Sequence, residues 1–181
     1  MNLDGKFVIQ YSGNMGLWHD MGTIIRAAKH LEKNRDIVFV MIGGGMRLAE
    51  TKAMANDLGL KNIFWLPFQP KEELADSLSC CHLALISQRK ELQGIAVPCK
   101  VYGILASGRG VLAMVPQEAE VARIILEADC GVVMESDDDQ ALVSTILDLY
   151  SDRDKVSEMG RKAYLESKTK YTLTSAVKTA S

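Results

Sequence analysis

The sequence contains no apolar run long enough to cross a membrane. Its longest apolar runs, such as residues 37–42 and 111–115, have the length of a β-strand, whereas a membrane-spanning helix needs about 20 apolar residues. Residues 1–6 include no apolar segment of the kind found in a signal peptide. We therefore expect a cytoplasmic protein with no transmembrane segment in this chain.

Cysteine, histidine and net charge are also scarce. The four cysteines, at positions 80, 81, 99 and 130, form no C-x-x-C pair, so we expect buried, reduced thiols. His19, His30 and His82 lack the spacing of metal ligands, and we expect neither a metal nor a cofactor. The 21 Lys and Arg residues nearly balance the 23 Asp and Glu residues, which argues against a nucleic-acid partner.

What the chain does contain is a regular alternation of short apolar runs and amphipathic stretches over 181 residues, the length of a single domain. We expect strands over residues 6–11, 36–42, 62–66, 81–86, 111–115 and 131–134. We expect helices over residues 19–31, 47–58, 70–79, 98–106, 118–128, 140–150 and 155–170. This alternation predicts an α/β fold with a doubly wound six-stranded parallel sheet, Rossmann-like, in the order 3-2-1-4-5-6.

Two loops should border the ligand crevice of such a sheet, because the strand order reverses between its first and fourth strands. The first loop, residues 12–18, carries Gly13 and Gly16 and leads to His19 and Asp20 at the start of a helix. Two glycines three residues apart suit backbone contacts to an anion. They equally suit a tight turn with no ligand, and the pattern alone does not decide between the two.

The second loop, residues 87–97, leads to Lys100 in the first turn of a helix that begins near Pro98. A lysine at that end opposes the helix dipole, so its place beside the crevice favours a role in anion binding over simple solvation. Glu91 and Gln93 in the same loop can bind hydroxyl groups or remain solvated. Residues 43–45 are three glycines, but Leu48 stands where a dinucleotide-binding motif needs another glycine.

Several motifs together resemble one known family. Residues 97–113 (VPCKVYGILASGRGVLA) are similar to the donor-site helix of the family 4 (group 1) retaining glycosyltransferases, which have the GT-B fold. Residues 11–20 (YSGNMGLWHD) resemble the first glycine loop of the subgroup that acts in capsule, O-antigen and colanic acid synthesis. Residues 39–45 and 64–70 are similar to the ends of its second and third strands.

The resemblance implies a specific ligand and reaction. The ligand would be a UDP-linked nucleotide-sugar. Its sugar would be transferred with retained configuration and without a metal to a hydroxyl acceptor in surface polysaccharide or glycolipid synthesis. Lys100 would be the catalytic cation that stabilises the departing diphosphate. The implied donor-binding residues are Gly13, Asn14, Met15, Gly16, His19, Phe68, Gln69, Leu74, Glu91, Gln93, Gly94, Ile95, Lys100 and Val101.

The chain departs from the family pattern at the residues that usually hold the nucleotide. Asn14 and His19 stand where the family has a basic pair, and Ile95 and Gly103 replace the two glutamates of its Glu-x7-Glu motif. Lys100 is then the main remaining cation. A protonated His19 would assist it, since a nearby phosphate raises the pKa of an imidazole.

The resemblance also implies that residues 1–181 form only the nucleotide-sugar-binding half of a two-domain enzyme. The partner would be an N-terminal acceptor-binding domain that is absent here, and the isolated half would be inactive. That missing domain is also the part that would hold the enzyme at the inner face of a membrane. Two alternatives stay open, a non-catalytic nucleotide-binding or partner-docking module and one half of a sugar-nucleotide epimerase.

Overall fold

Six parallel strands form the centre of the molecule in the computed structural model, which describes residues 3–89 and 99–171. The strands are β1 (Phe7–Asn14), β2 (Ile37–Gly44), β3 (Ile63–Leu66), β4 (Leu83–Ser87), β5 (Gly110–Met114) and β6 (Gly131–Met134). Their order is β3-β2-β1-β4-β5-β6, with every neighbouring pair parallel. The predicted fold class and strand order are confirmed.

Helices cover both faces of this sheet. They are α1 (Met21–His30), α2 (Leu48–Asp57), α3 (Leu74–Ser79), α4 (Lys100–Ala106), α5 (Glu120–Glu127), α6 (Asp139–Ser151) and α7 (Arg153–Lys170). Helices α1, α2 and α6 pack on one face, and α3, α4 and α5 pack on the other. Because both faces are covered, most side chains of the four central strands β1, β2, β4 and β5 are buried, which explains their almost continuous apolar sequences.

Aspartate side chains set the start of three helices. Asp20 caps α1, Asp138 caps α6 by accepting from the Ala141 N–H at 2.8 Å, and Asp152 caps α7. A carboxylate at this position satisfies an N–H that has no partner within the helix and also favours the helix dipole. The acidic turn that precedes α6 is therefore structural.

The structure corrects three details of the sequence-based description. β1 continues through Asn14, because Gly13 and Asn14 pair with Gly43 and Gly44 of β2, so the first loop is shorter than expected. The helix predicted over residues 70–79 is a 3₁₀ turn (Lys71–Glu73) followed by α3. Buried thiols were expected throughout, but only Cys81 and Cys130 are buried, whereas Cys80 and Cys99 are exposed.

No helix among residues 3–89 and 99–171 is long and apolar enough to cross a membrane.

Candidate functional site

The carboxyl ends of β1 and β4 lie side by side, because these strands are neighbours in the sheet. From here the chain leaves β1 toward α1, and α4 begins with Lys100. Adjacent strands whose connections run in opposite directions leave an open crevice, the usual ligand site of doubly wound folds. The point where the strand order reverses, at which a ligand crevice is expected, therefore lies between β1 and β4 as predicted.

The ammonium group of Lys100 lies on the backbone of Gly13 and over the ring of Tyr11. Its Nζ is 4.1 Å from the centroid of the Tyr11 ring and 3.2 Å from where a Cβ on Gly13 would stand. This nitrogen is buried and has no hydrogen-bond partner among the residues that the structure describes. Burial lowers the pKa of Lys100 from 10.5 to about 8. A buried cation without an anion is unfavourable, so this position suits an anionic ligand.

Glycine at position 13 is what permits this arrangement. Its φ of +140° lies in the range that residues with a side chain rarely adopt, and any Cβ would crowd the Lys100 ammonium group. At the neighbouring Gly43, a Cβ would collide with the carbonyl oxygen of Gly13. Gly13 and Gly43 are thus both needed for the close approach of the chain at this point. The sequence alone could not distinguish these glycines from those of an ordinary turn.

Tyr11 forms the rigid floor of the site. Its side chain is fully buried, and its hydroxyl donates to the carbonyl oxygen of Asn14 at 2.7 Å. Burial raises the pKa of the Tyr11 hydroxyl well above its usual value, so the ring stays neutral. A neutral ring presents its electron-rich face to the Lys100 ammonium group, a contact that partly offsets the burial of the charge.

His19 lies on the other side of Tyr11, with the two ring centroids 6.1 Å apart. Its Nδ1 is 2.8 Å from the carbonyl oxygen of Ser87. Because a carbonyl oxygen only accepts, we assign the proton of neutral His19 to Nδ1. That leaves Nε2 with a lone pair in the neutral form and with an N–H once the ring is protonated.

The pKa of His19 is lowered in the unliganded structure. Burial is the largest cause, the Ser87 hydrogen bond opposes it, and the charge of Lys100 lowers the pKa further. His19 is therefore mainly neutral at pH 7 without a ligand. The expected assistance from a protonated His19 then requires an anion that raises its pKa.

A buried polar network holds the loop that carries His19. The Asp20 N–H donates to the Ser87 hydroxyl at 2.8 Å, which links the start of α1 to the end of β4. The Asp20 carboxylate accepts from the Thr23 N–H and from the Asp137 N–H at 2.9 Å. Ser87 and Asp20 were not among the predicted site residues. The Asp before a helix signals a cap, but its contacts across the sheet have no signal in the sequence.

Three predicted residues lie at the same edge of the sheet, beyond β3. The Phe68 ring is 60% exposed and rests on Gly43 and Gly44. Gln69 donates from its side-chain amide to the Pro67 carbonyl oxygen at 2.8 Å. Leu74 is exposed at the start of α3. Phe68 and Leu74 each expose an apolar side chain after β3.

Two predicted residues have buried side chains. The side chains of Met15 and Val101 are fully buried in the core, so neither reaches the crevice. The main-chain groups of Met15 are also occupied, since its N–H donates to Gly44 and its carbonyl oxygen accepts from Arg47. The apolar character of both residues is the physical reason that their side chains pack in the core, and their assignment to donor binding stays a prediction.

The remaining predicted residues divide into two groups. Asn14 is exposed, and its side-chain amide lies against Gly16 and Gly45. Glu91, Gln93, Gly94 and Ile95 lie outside the described residues. Within residues 3–89 and 99–171, no three His, Cys, Asp or Glu side chains are grouped so as to hold a metal ion. The described part of the site thus brings together Gly13, Lys100 and His19 around Tyr11.

The chain matches a family model and two curated proteins. The model described as "Glycosyl transferases group 1" matches residues 2–166. The probable glycosyltransferase WbjE of Pseudomonas aeruginosa is 30% identical over 142 residues, which are 78% of this chain and 35% of that protein. The putative colanic acid biosynthesis glycosyl transferase WcaI of Escherichia coli is 28% identical over 144 residues, 79% of this chain and 35% of that protein. The chain thus spans about a third of the length of these relatives.

Solved structures share the fold at low sequence identity. Sucrose-phosphate synthase from Thermosynechococcus elongatus has a TM-score of 0.82 and 15% identity, covering 99% of this chain and 45% of that one. TarM from S. aureus, solved with UDP, has a TM-score of 0.80 and 19% identity, covering 96% and 34%. HepE from Anabaena, solved with UDP-glucose, has a TM-score of 0.76 and 16% identity, covering 91% and 44%.

Proposed function

Since this chain belongs to the group 1 glycosyl transferases, we propose that it binds the nucleotide-sugar of a retaining, metal-independent glycosyltransferase in the crevice between β1 and β4. The nucleotide is UDP, and the sugar passes to a hydroxyl group in surface polysaccharide or glycolipid synthesis. TarM and HepE, which share the fold, were solved with UDP or UDP-glucose. The name of WcaI refers to colanic acid biosynthesis.

The observation that carries this proposal is the buried ammonium group of Lys100. It has no anionic partner among the described residues, and it lies beside Gly13 at the edge where such sheets bind ligands. A diphosphate placed there gives the cation its missing partner. In the transfer step, negative charge grows on the diphosphate as the bond to the sugar breaks, and a fixed cation stabilises that charge.

His19 has a second role in this scheme. Its Nδ1–H stays hydrogen-bonded to the carbonyl oxygen of Ser87, so the ring keeps its orientation. Nε2 is then the nitrogen that gains a proton. A diphosphate nearby raises the pKa of His19 and favours the doubly protonated ring. The Nε2–H then donates to a phosphate oxygen and adds a second positive charge next to Lys100.

The other ends of the nucleotide-sugar are assigned to neighbouring segments. Phe68, Gln69 and Leu74, at the edge beyond β3, contact the base, and the exposed Phe68 ring provides a surface on which it can stack. The sugar lies near Glu91, Gln93, Gly94 and Ile95. These four remain predictions from the family resemblance, as does the absence of a metal requirement.

The acceptor binds to a part of the enzyme other than this chain. The chain covers 35% of WbjE and of WcaI, so these relatives have room for a further domain. We infer that residues 1–181 bind the nucleotide-sugar without transferring it. A full-length protein that combines this chain with an acceptor-binding domain is the form in which transfer should be measured, and its activity should survive treatment with EDTA.

Calorimetric titration with UDP tests the proposed site. We expect UDP to bind and uridine, which lacks the phosphates, to bind far more weakly. Lys100→Met should weaken UDP binding by about 1 to 2 kcal/mol, the value of a charge-assisted contact. The matched control is Lys168→Met, because Lys168 also lies over a tyrosine ring, 5.1 Å from the centroid of Tyr164, but on the surface. Equal affinities for UDP in the wild type and in Lys100→Met would refute the proposal.

One observation favours a second candidate, a non-catalytic nucleotide-binding module. Gly103, where the resemblance expects a glutamate that binds ribose, packs against Leu78 and has no side chain to contact a ligand. This candidate also predicts UDP binding. It differs in predicting no sugar transfer by the full-length protein with any nucleotide-sugar, so product analysis on that protein separates the two.

A further inference from the structure

Gln10 is a polar residue in the middle of the buried sheet. It lies in β1 between Val40 of β2 and Ala84 of β4, and its exposed fraction is 2%. The nitrogen of its side-chain amide is buried and makes no hydrogen bond to any residue of the described chain. Buried amides in folded proteins nearly always have a partner. Gln10 therefore calls for a partner that these residues do not provide.

A cavity of about 390 Å³ lies next to Gln10, between the sheet and α3. Its sheet side is apolar and consists of Val8, Val40, Ile42 and Leu66, with Gln10 among them. The helix that borders the cavity, α3, is only six residues long. A volume of this size falls within the range of pockets that hold small molecules.

The chemistry of the lining narrows the class of ligand. Apolar side chains from three adjacent strands form a flat surface that suits a planar apolar body. The amide nitrogen of Gln10 has almost no exposed area, but a half-turn of the amide exchanges its oxygen and nitrogen, so Gln10 can offer the cavity either an acceptor or a donor. An amide or lactam group can pair with Gln10 in either orientation, because it carries both a donor and an acceptor. Glu73 and Asp76 at the rim disfavour an anion.

We propose that this cavity is a second ligand site, for a small planar apolar molecule that carries an amide or lactam group bound to Gln10. Gly13, His19 and Lys100 do not line it, so it is separate from the anion site. The proposal does not depend on nucleotide-sugar binding. The two proposed sites are neighbours, since Gln69 lines the cavity and also belongs to the segment assigned to the base.

Benzamide is the probe, and methyl-resolved NMR of the whole chain is the measurement. We expect saturable shifts of the methyl groups of Val8, Val40, Ile42 and Leu66, with a dissociation constant on the order of 1 mM for so small a ligand. Toluene, which keeps the planar ring but lacks the amide, should bind at least roughly tenfold more weakly. Shifts that are absent, or that fall on other methyl groups, would overturn the proposal.

Variants separate the amide from the cavity. Gln10→Leu should weaken benzamide binding roughly tenfold, whereas Gln140→Leu, which changes an exposed glutamine of α6, should leave it unchanged. Ser77→Phe fills the cavity from the α3 side without altering the sheet and should abolish binding. Equal benzamide affinity in Gln10→Leu and wild type would mean that the cavity is only apolar or filled with water, and the proposal would be wrong.

Added UDP distinguishes this site from the nucleotide site. We expect the benzamide shifts to persist when UDP is present. Displacement of benzamide by UDP would place the cavity within the nucleotide site and contradict a second site. If UDP does not bind at all, the proposed function fails while the benzamide result still stands, so the two failures can be told apart.

Discussion

Replacing Lys100 with methionine should stabilise the unliganded protein even though it weakens UDP binding. The two effects have one cause, a positive charge that is buried beside Gly13 without an anion among the described residues. Methionine keeps the apolar stem of the side chain and removes only the charge. If Lys100 served only to stabilise the fold, its replacement by methionine would instead destabilise the unliganded protein.

The size of the effect follows from the pKa of Lys100. The difference between 10.5 and about 8 corresponds to about 3 kcal/mol of unfavourable burial of the charged form. The contact with the Tyr11 ring, 4.1 Å from Nζ, offsets about 1 kcal/mol of this. We therefore expect Lys100→Met to raise the free energy of unfolding by about 2 kcal/mol at pH 7. For a chain of this length, that raises the Tm by about 4 to 8 °C.

The pH dependence has a definite sign. Because the pKa of Lys100 is lower in the folded state, the unfolded chain binds more protons between about pH 8 and 10.5. Lys100 should therefore make the free energy of unfolding of the wild type rise as the pH increases through this range. The difference in free energy of unfolding between Lys100→Met and the wild type should be largest below pH 8 and should disappear near pH 10.5.

Urea denaturation of both proteins at pH 7 and pH 10 measures these quantities. Lys168→Met is the control, since its lysine also lies over a tyrosine ring but is exposed, and its stability should change little. The reasoning would be refuted if Lys100→Met were less stable than the wild type at pH 7, or if its advantage were the same at both pH values.

Three further predictions concern two residues at the crevice, Gly13 and Asp20, and one residue at the opposite edge of the sheet, His82. Gly13→Ala should lower the free energy of unfolding by about 1 to 3 kcal/mol in urea denaturation, because of its φ of +140°; an unchanged value would contradict this. Asp20→Ala removes a cap and the contact to Asp137, and should lower the free energy of unfolding by about 2 kcal/mol and also weaken UDP binding; loss of stability with full UDP affinity would exclude a positioning role. His82 accepts a hydrogen bond from the Val8 N–H at 3.1 Å, and burial lowers the pKa of His82. The free energy of unfolding should therefore fall as the pH drops below 6.5. His82→Asn should remove that part of the acid dependence.

The sheet and its order could be predicted because the signal for them is local. Apolar runs such as residues 37–42 and the helical spacing between them identify the elements, and the connections of parallel strands follow general rules. The end of β1 was missed because Ser12, Gly13 and Asn14 have the composition of a turn. They extend the strand only because Gly43 and Gly44 let the chains approach closely.

The site could be predicted only in outline. Lys100 was identified because a lysine in the first turn of a helix at the crevice breaks a local rule. Its contact with Tyr11 joins residues far apart in the sequence and depends on how two side chains pack. The same limit applies to Met15 and Val101, whose burial follows from the packing of the core. The contacts of Asp20 with Ser87 and Asp137 likewise exist only once the sheet is assembled.

Proton uptake on UDP binding tests the central claim most directly. At pH 8, close to the pKa of Lys100, about half of the unliganded molecules carry a neutral Lys100. A diphosphate raises that pKa, so calorimetry in two buffers of different ionisation enthalpy should show that Lys100 takes up about half a proton per UDP bound. Lys100→Met should lose this half proton and keep only the uptake by His19. UDP binding without any proton uptake in the wild type, or no UDP binding at all, would contradict the assignment of Lys100 as the cation that holds the diphosphate.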